Sequence, residues 1–330
     1  MSYEIREGDV LNCLGEIRDE SVQCCVTSPP YWGLRDYGVE GQIGLEKTPQ
    51  EYVEKMVEVL REVRRVLRSD GTLWLNVGDS YAGGGGYAPD APCNQRRAEG
   101  ESWGSLNPSK KARREARKGT GVVCGLKPKD LCLIPYRLIL ALQDDGWWVR
   151  SQIAWTKKSS MPESVRDRPT SAWEPIFLLT KAQRYYYDAE AVRQDPANYS
   201  RKGGTAPTRD GLTTHGQGSH SLHQMASMGA NLRNVWHLGP EPFPDAHFAT
   251  FPTEIPRRAI LAGTKKGDVV LDPFAGSGTT LMVAEQLGRD SIGIELNSEY
   301  VELAEKRIQA GLSVTQRKLS NEINFSLEFC

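Results

Sequence analysis

Ser28, Pro29, Pro30 and Tyr31 stand directly after the apolar run Val22-Gln23-Cys24-Cys25-Val26-Thr27. A run this short and apolar reads as a buried strand. Two prolines end it, because neither has an N–H to give to a sheet ladder. The result is a stiff turn at a strand's carboxyl end, which is where ligands bind in an open α/β sheet. It carries a hydroxyl, backbone carbonyls and an aromatic ring. That set suits gripping a planar group with an exocyclic amine: the oxygens accept its N–H hydrogens and the ring stacks on its face. The same tetrapeptide also suits a polyproline II ligand or a plain turn.

A second constellation lies near the other end of the chain. Val269-Val270-Leu271-Asp272 reads as a buried strand, followed by Pro273-Phe274-Ala275-Gly276-Ser277-Gly278 and a helix opening at Thr279. Glycines at such a turn let backbone approach a ligand. Glu295 ends the next strand, nineteen residues after Gly276, and a carboxylate there can accept both hydroxyls of a ribose. A nicotinamide dinucleotide would want a third glycine where Leu281 stands, and a phosphate-binding P-loop would want a lysine that is absent. S-adenosylmethionine, with a ribose and no phosphate, suits the turn; a purely structural strand–turn–helix is the bland alternative.

The elements that must position these residues alternate. Residues 3–27 read strand, helical turn, strand. Thr48 to Arg68 reads as a helix, with Thr48 and Glu51 forming a capping box and Pro49 in the first turn. Thr72 to Val77 follows as a strand, after a break at Asp70-Gly71. Further on come a helix over Leu131–Asp145, strands at Trp147–Trp155 and Ile176–Thr180, and a third strand at Tyr185–Tyr187 pairing as a hairpin. A helix opens near Pro252-Thr253-Glu254, then strand Asp268–Leu271, helix Thr279–Leu287, strand Ser291–Ile294 and helix Ser298–Ala310. This βα alternation is α/β.

Composition sets the bounds. The 330 residues are 39% hydrophobic and 25% charged, with a net charge of −1, which fits a globular protein. No apolar run is long enough for a transmembrane helix, and the N-terminus lacks a signal-peptide core. Seven cysteines without a Cys-x-x-Cys argue for free thiols in a reducing compartment and against a zinc site. Charge is unevenly spread: between Ala82 and Lys129 ten basic residues face four acidic ones. Arg96, Arg97, Lys110, Lys111, Arg113 and Arg114 lead this segment, and they are candidates for phosphate contact. A solvated charged loop is the competing reading. Residues 191–233 form a second polar stretch.

Together the two motifs resemble the DNA amino-methyltransferases, which methylate exocyclic amines of adenine or cytosine. Residues 272–280 resemble their cofactor motif, and Ser28-Pro29-Pro30-Tyr31 their catalytic motif. The catalytic motif comes first here, as in the permuted beta group. Gly8-Asp9, Asp70 to Asp79, Ile153 to Lys157, Glu174 to Phe177 and His247 to Pro252 resemble further family segments. One departure is Trp173-Glu174, where the family often shows His-Glu; it reads as a structural position.

The resemblance implies a Rossmann-like, S-adenosylmethionine-dependent fold with permuted motif order and a mixed seven-stranded sheet bearing helices on both faces. It divides the chain into a catalytic half (1–81), a basic insertion (82–129), a continuation of the sheet (130–190), a polar insertion suited to target recognition (191–233), a cofactor half (234–312) and a tail (313–330). It implies S-adenosylmethionine bound by Asp9, Phe251, Pro252, Asp272, Phe274, Gly276, Gly278, Thr279 and Glu295, and catalysis by Ser28 to Tyr31, with no metal. The implied partner is double-stranded DNA with the target base flipped out, in the cytoplasm and away from membranes. A cognate restriction endonuclease and a second copy of the chain are further partners to test. Serine at position 28, where many relatives carry aspartate, points to cytosine N4, with adenine N6 as the alternative. RNA or protein methylation fits less well, since those motifs usually begin with asparagine, and an inactive DNA-binding module is the non-enzymatic reading. Trp32, Trp74, Trp147, Trp148 and Trp155 read as core.

Overall fold

The structure, a computed structural model, describes residues 2–83, 125–158, 160, 163–194, 229–239, 241 and 251–311. Among the described residues eight strands form one sheet: β1 (Tyr3–Glu7), β2 (Val22–Thr27), β3 (Leu67–Asn76), β4 (Trp148–Lys157), β5 (Trp173–Thr180), β6 (Val235–Leu238), β7 (Val269–Asp272) and β8 (Asp290–Glu295). Their spatial order is β1-β8-β7-β2-β3-β5-β4-β6. Only β5 pairs antiparallel with its neighbours β3 and β4; the other pairings are parallel.

Helices cover both faces, and strand alternation sorts the side chains between them. Cys25, Leu73, Leu75 and Phe177 pack with α1 (Val10–Gly15), α2 (Pro49–Val66) and α3 (Ile134–Asp144). Cys24, Val26, Trp74 and Leu178 pack on the other side with α4 (Glu254–Gly263) and α5 (Thr279–Gln286). A last helix, α6, spans 298–311. The α2 capping box forms as its sequence dictates: Glu51 N donates to Thr48 Oγ1 and Thr48 N to Glu51 Oε2, each at 3.1 Å. Burial pushes the Cys24 thiol up to about 12, so this thiol is packing, not a nucleophile. Among the described residues no helix is long and apolar enough to cross a membrane.

Four sequence expectations change. Trp148, read as core, opens β4 and is 43% exposed. The sheet has eight strands, not seven. The eighth, β6, is four residues with a single fully buried side chain, Trp236, too short to show a period. Trp236 stacks on Trp74 with centroids 6.2 Å apart. Tyr185–Tyr187 forms no strand, because β5 already has a partner on each edge. That segment is tied down instead by Tyr186 N to Asp70 O at 3.0 Å and Asp188 N to Ala262 O at 2.8 Å. Finally, β3 begins at Leu67 and runs through Asp70-Gly71, with an irregular register against β2.

Candidate active site

The sheet order reverses between β7 and β2. From β7 the chain proceeds outward to β8; from β2 it proceeds outward the other way to β3. Such a switch point opens a crevice beyond the strands' carboxyl ends. Both sequence motifs meet there, and a cavity of about 430 Å³ lies over them.

One side of the cavity is built by the turn after β7. Gly276 and Gly278 have φ of +51° and +74°. Gly276 N donates to Glu295 Oε2 at 2.8 Å, and Asn297 N to Glu295 Oε1 at 2.9 Å. Each carboxylate oxygen thus has one backbone donor and keeps capacity for another. Burial raises the Glu295 carboxyl above its ordinary value, and these N–H groups pull it back. A Cβ on Gly276 would meet nothing within 4 Å, so its backbone is open to a ligand. Asp9 caps α1 through Oδ1, which accepts from Leu11 N and Asn12 N at 3.1 Å, and faces the same cavity, as do Phe251, Phe274 and Thr279. Tyr37 and Tyr300, which sequence reading did not single out, meet edge to face at 6.5 Å on this side.

Three residues expected to touch a cofactor sit behind the wall. Asp272 is 2% exposed. It accepts from Thr27 Oγ1 and Thr280 Oγ1 at 2.7 Å and from Phe274 N at 3.1 Å, joining β7, β2 and α5. Burial pushes its carboxyl up to about 6. Gly278 serves packing: a Cβ there would lie 2.9 Å from the Ala304 Cβ of α6. Pro252 is buried at the start of α4, where its carbonyl accepts from Ile255 N at 3.0 Å.

The other side is the turn after β2. Tyr52 Oη donates to the Pro30 carbonyl at 2.9 Å, whereas no hydrogen bond to the Pro29 carbonyl forms among the described residues; Pro29 lines the cavity. Ser28 Oγ lies 3.4 Å from both Tyr31 Oη and Asn76 Oδ1. Tyr31 Oη donates to Glu174 Oε2 at 2.8 Å and is 3.1 Å from Asn76 Oδ1. Lys157 Nζ pairs with Glu174 Oε1. Asn76 Nδ2 donates to Pro175 O at 3.1 Å, which turns Oδ1 toward the serine and the tyrosine. The Tyr31 ring lies against Gly78, where a Cβ would fall 2.2 Å from it.

Asn76, Trp155, Lys157 and Glu174 therefore line the cavity beside Ser28. Asn76 and Lys157 end parallel strands, and Glu174 opens the one antiparallel strand, so all three reach the same edge. Glu174, read as structural, belongs to the site. Trp155 is both core, at 6% exposure, and cavity wall; its Nε1 donates to Leu238 O of β6 at 3.2 Å. A usable signal was present for Asn76, a polar residue closing the apolar run Leu73-Trp74-Leu75. Arg96, Arg97, Lys110, Lys111, Arg113 and Arg114 lie outside the described residues.

Fold and site define a methyltransferase-type α/β crevice. Residues 22–306 match the family model described as DNA methylase, covering N6 and N4 amino-methyltransferases, and the chain belongs to that family. Its cofactor is S-adenosylmethionine, and the open backbone at Gly276 with the Glu295 carboxylate suits one. Among curated relatives, the Type II methyltransferase M.Cfr9I of Citrobacter freundii is 47% identical over 305 residues, 92% of this chain and 86% of that protein. Among solved structures, the PvuII DNA methyltransferase (cytosine-N4-specific) has the same fold, with a TM-score of 0.61 at 19% identity, covering 97% and 93% of the two chains. The structure of a putative DNA modification methylase from Thermus thermophilus, complexed with S-adenosyl-L-methionine, aligns with a TM-score of 0.56 at 22% identity, covering 94% and 96%.

Proposed function

We propose that this chain is a Type II modification enzyme that methylates the N4 amine of a cytosine flipped out of double-stranded DNA. The observation that carries the reading is the Ser28 turn. Ser28 and Pro29, whose hydroxyl and carbonyl are the acceptors in this reading, line the same cavity as Gly276 and Glu295.

S-adenosylmethionine, when bound, supplies an electrophilic methyl group and a thioether leaving group. Asp9, Phe251, Phe274, Gly276, Thr279 and Glu295 hold it, with Asp272 and Gly278 shaping the turn from behind and Pro252 opening the helix next to Phe251. The amine of a base is a weak nucleophile because its lone pair is delocalised into the ring. Accepting its N–H hydrogens at Ser28 and Pro29 returns electron density to nitrogen and stabilises the positive charge that develops there. The two prolines set these acceptors in advance, and proximity of amine and methyl supplies much of the remaining acceleration. Tyr31 and Trp155 are the aromatic walls against which a flipped base stacks.

Serine at position 28 favours cytosine, and the cytosine-N4-specific structural neighbour shares the fold. The basic residues Arg96, Arg97, Lys110, Lys111, Arg113 and Arg114 contact phosphates in this reading, and a restriction endonuclease of the same site specificity is the cognate partner. DNA from cells expressing the chain, digested to nucleosides and weighed, is expected to contain N4-methyldeoxycytidine. N6-methyldeoxyadenosine instead would overturn the choice of base, and unmodified DNA the activity.

A further inference from the structure

Ser28 can help the amine only if its lone pairs, not its proton, face the cavity. What decides this is where the Tyr31 hydroxyl behind it sends its proton, to the Glu174 carboxylate or to the Asn76 amide oxygen. Tyr31 has one O–H. It faces a carboxylate oxygen of Glu174 at 2.8 Å and an amide oxygen of Asn76 at 3.1 Å, and the charged acceptor wins. The phenol is held well above its ordinary value, by burial first and then by Glu174, so it stays a donor. Lys157 pairs with the other Glu174 oxygen, so that oxygen has its own partner and Oε2 is left to the tyrosine. With the tyrosine proton committed to Glu174, both neighbours of the Ser28 hydroxyl are acceptors: the Tyr31 oxygen and Asn76 Oδ1, each at 3.4 Å. The serine proton is then drawn inward and its lone pairs turn outward.

We propose that Glu174 is a positioning residue for the methyl transfer: through Tyr31 it orients Ser28 as an acceptor toward the target amine. This rests on the reading of Ser28 given above. The chain of donors runs one way, from amine to Ser28, from Ser28 to Tyr31 or Asn76, and from Tyr31 to Glu174, and the carboxylate at its end sets the direction. A glutamine at 174 keeps the size but can donate its amide N–H to Tyr31. The tyrosine proton then turns to Asn76, takes the acceptor that Ser28 used, and the serine proton is released toward the cavity.

The test is a double-mutant cycle on the full chain with its DNA substrate. Glu174→Gln is expected to lower kcat by at least about tenfold, with KM for S-adenosylmethionine unchanged and thermal stability within the range of Glu174→Asp, which keeps the charge and restores part of the rate. Ser28→Ala is expected to lower kcat more, and adding Glu174→Gln to it is expected to cost no further, because the glutamate acts through the serine. Wild-type kcat in Glu174→Gln overturns the inference about Glu174 alone. So do losses that multiply in the double variant, since they mark an independent structural role. Wild-type kcat in Ser28→Ala overturns the underlying reading of the turn. Should Glu174→Gln fail to fold, Glu174→Asp takes its place in the same cycle: a partial loss of kcat that disappears on the Ser28→Ala background supports the inference, and a loss that multiplies overturns it.

Discussion

The two turns that meet at the switch point are held in opposite ways. The turn after β7 is fixed by its own neighbourhood: two residues at positive φ, Asp272 accepting from Phe274 N two residues on, and Thr280 eight residues on. The turn after β2 is fixed by side chains far off in sequence. Tyr52 is 22 residues from its partner Pro30, Asn76 is 45 from Tyr31, and Glu174 is 143 from Tyr31. The difference teaches that the turn after β7 takes much of its shape from bonds within a few residues, whereas the catalytic turn is held only once β3, β4 and β5 have paired. The bond from Thr27 Oγ1 to Asp272 at 2.7 Å joins the two ends across 245 residues.

This contrast is sharpest at Gly78. A methyl there would collide with the Tyr31 ring at 2.2 Å, so Gly78→Ala is expected to displace Tyr31 and reduce turnover by about 100-fold or more. Calorimetric affinity for S-adenosylmethionine should stay within about twofold. Parallel loss of both would show that the two turns do not behave as separate units.

The converse variant is Glu295→Ala. It strands the N–H groups of Gly276 and Asn297 and removes the carboxylate proposed for the ribose. A fall in cofactor affinity of about 10- to 100-fold is expected. Single-turnover rates at saturating S-adenosylmethionine should change little; a collapse of that rate would argue that the carboxylate takes part beyond binding.

Asp272, which bridges the turns, tests the comparison most gently. Its carboxyl rises from the ordinary 3.8 to about 6 in the folded protein, so the folded state binds the proton more tightly than the unfolded state does. The stability this group contributes is full below about pH 3.8 and is lost as pH rises through about 6. The loss is up to about 3 kcal/mol. Urea unfolding of Asp272→Asn across this window should lack that downward slope, since asparagine does not titrate. Identical slopes in the variant and the wild type would assign the pH dependence to other groups.

Legibility followed the same divide. The capping box of α2, the buried run of β2 and the strand–turn–helix around Gly276 were readable because each depends on residues within a few positions. Gly278 was readable as an obligatory glycine, but its reason was not: the close neighbour is Ala304 of α6, which no local pattern announces. Tyr185–Tyr187 looked like a strand because aromatic residues favour strands, yet β5 had no edge left to offer. The Trp173-Glu174 position reads as structural in the sequence, and only the fold brings Glu174 to Tyr31, 143 residues away.

Local order along the chain determined the class of fold, the switch point's two motifs and the permuted arrangement, since strand, cap and turn preferences act over a few residues. Tertiary structure alone decided which groups stand behind Ser28. A hydroxyl's direction depends on acceptors held within about 3.5 Å, and here Asn76 of β3 and, behind Tyr31, Glu174 of β5 are brought beside Ser28 only by sheet pairing.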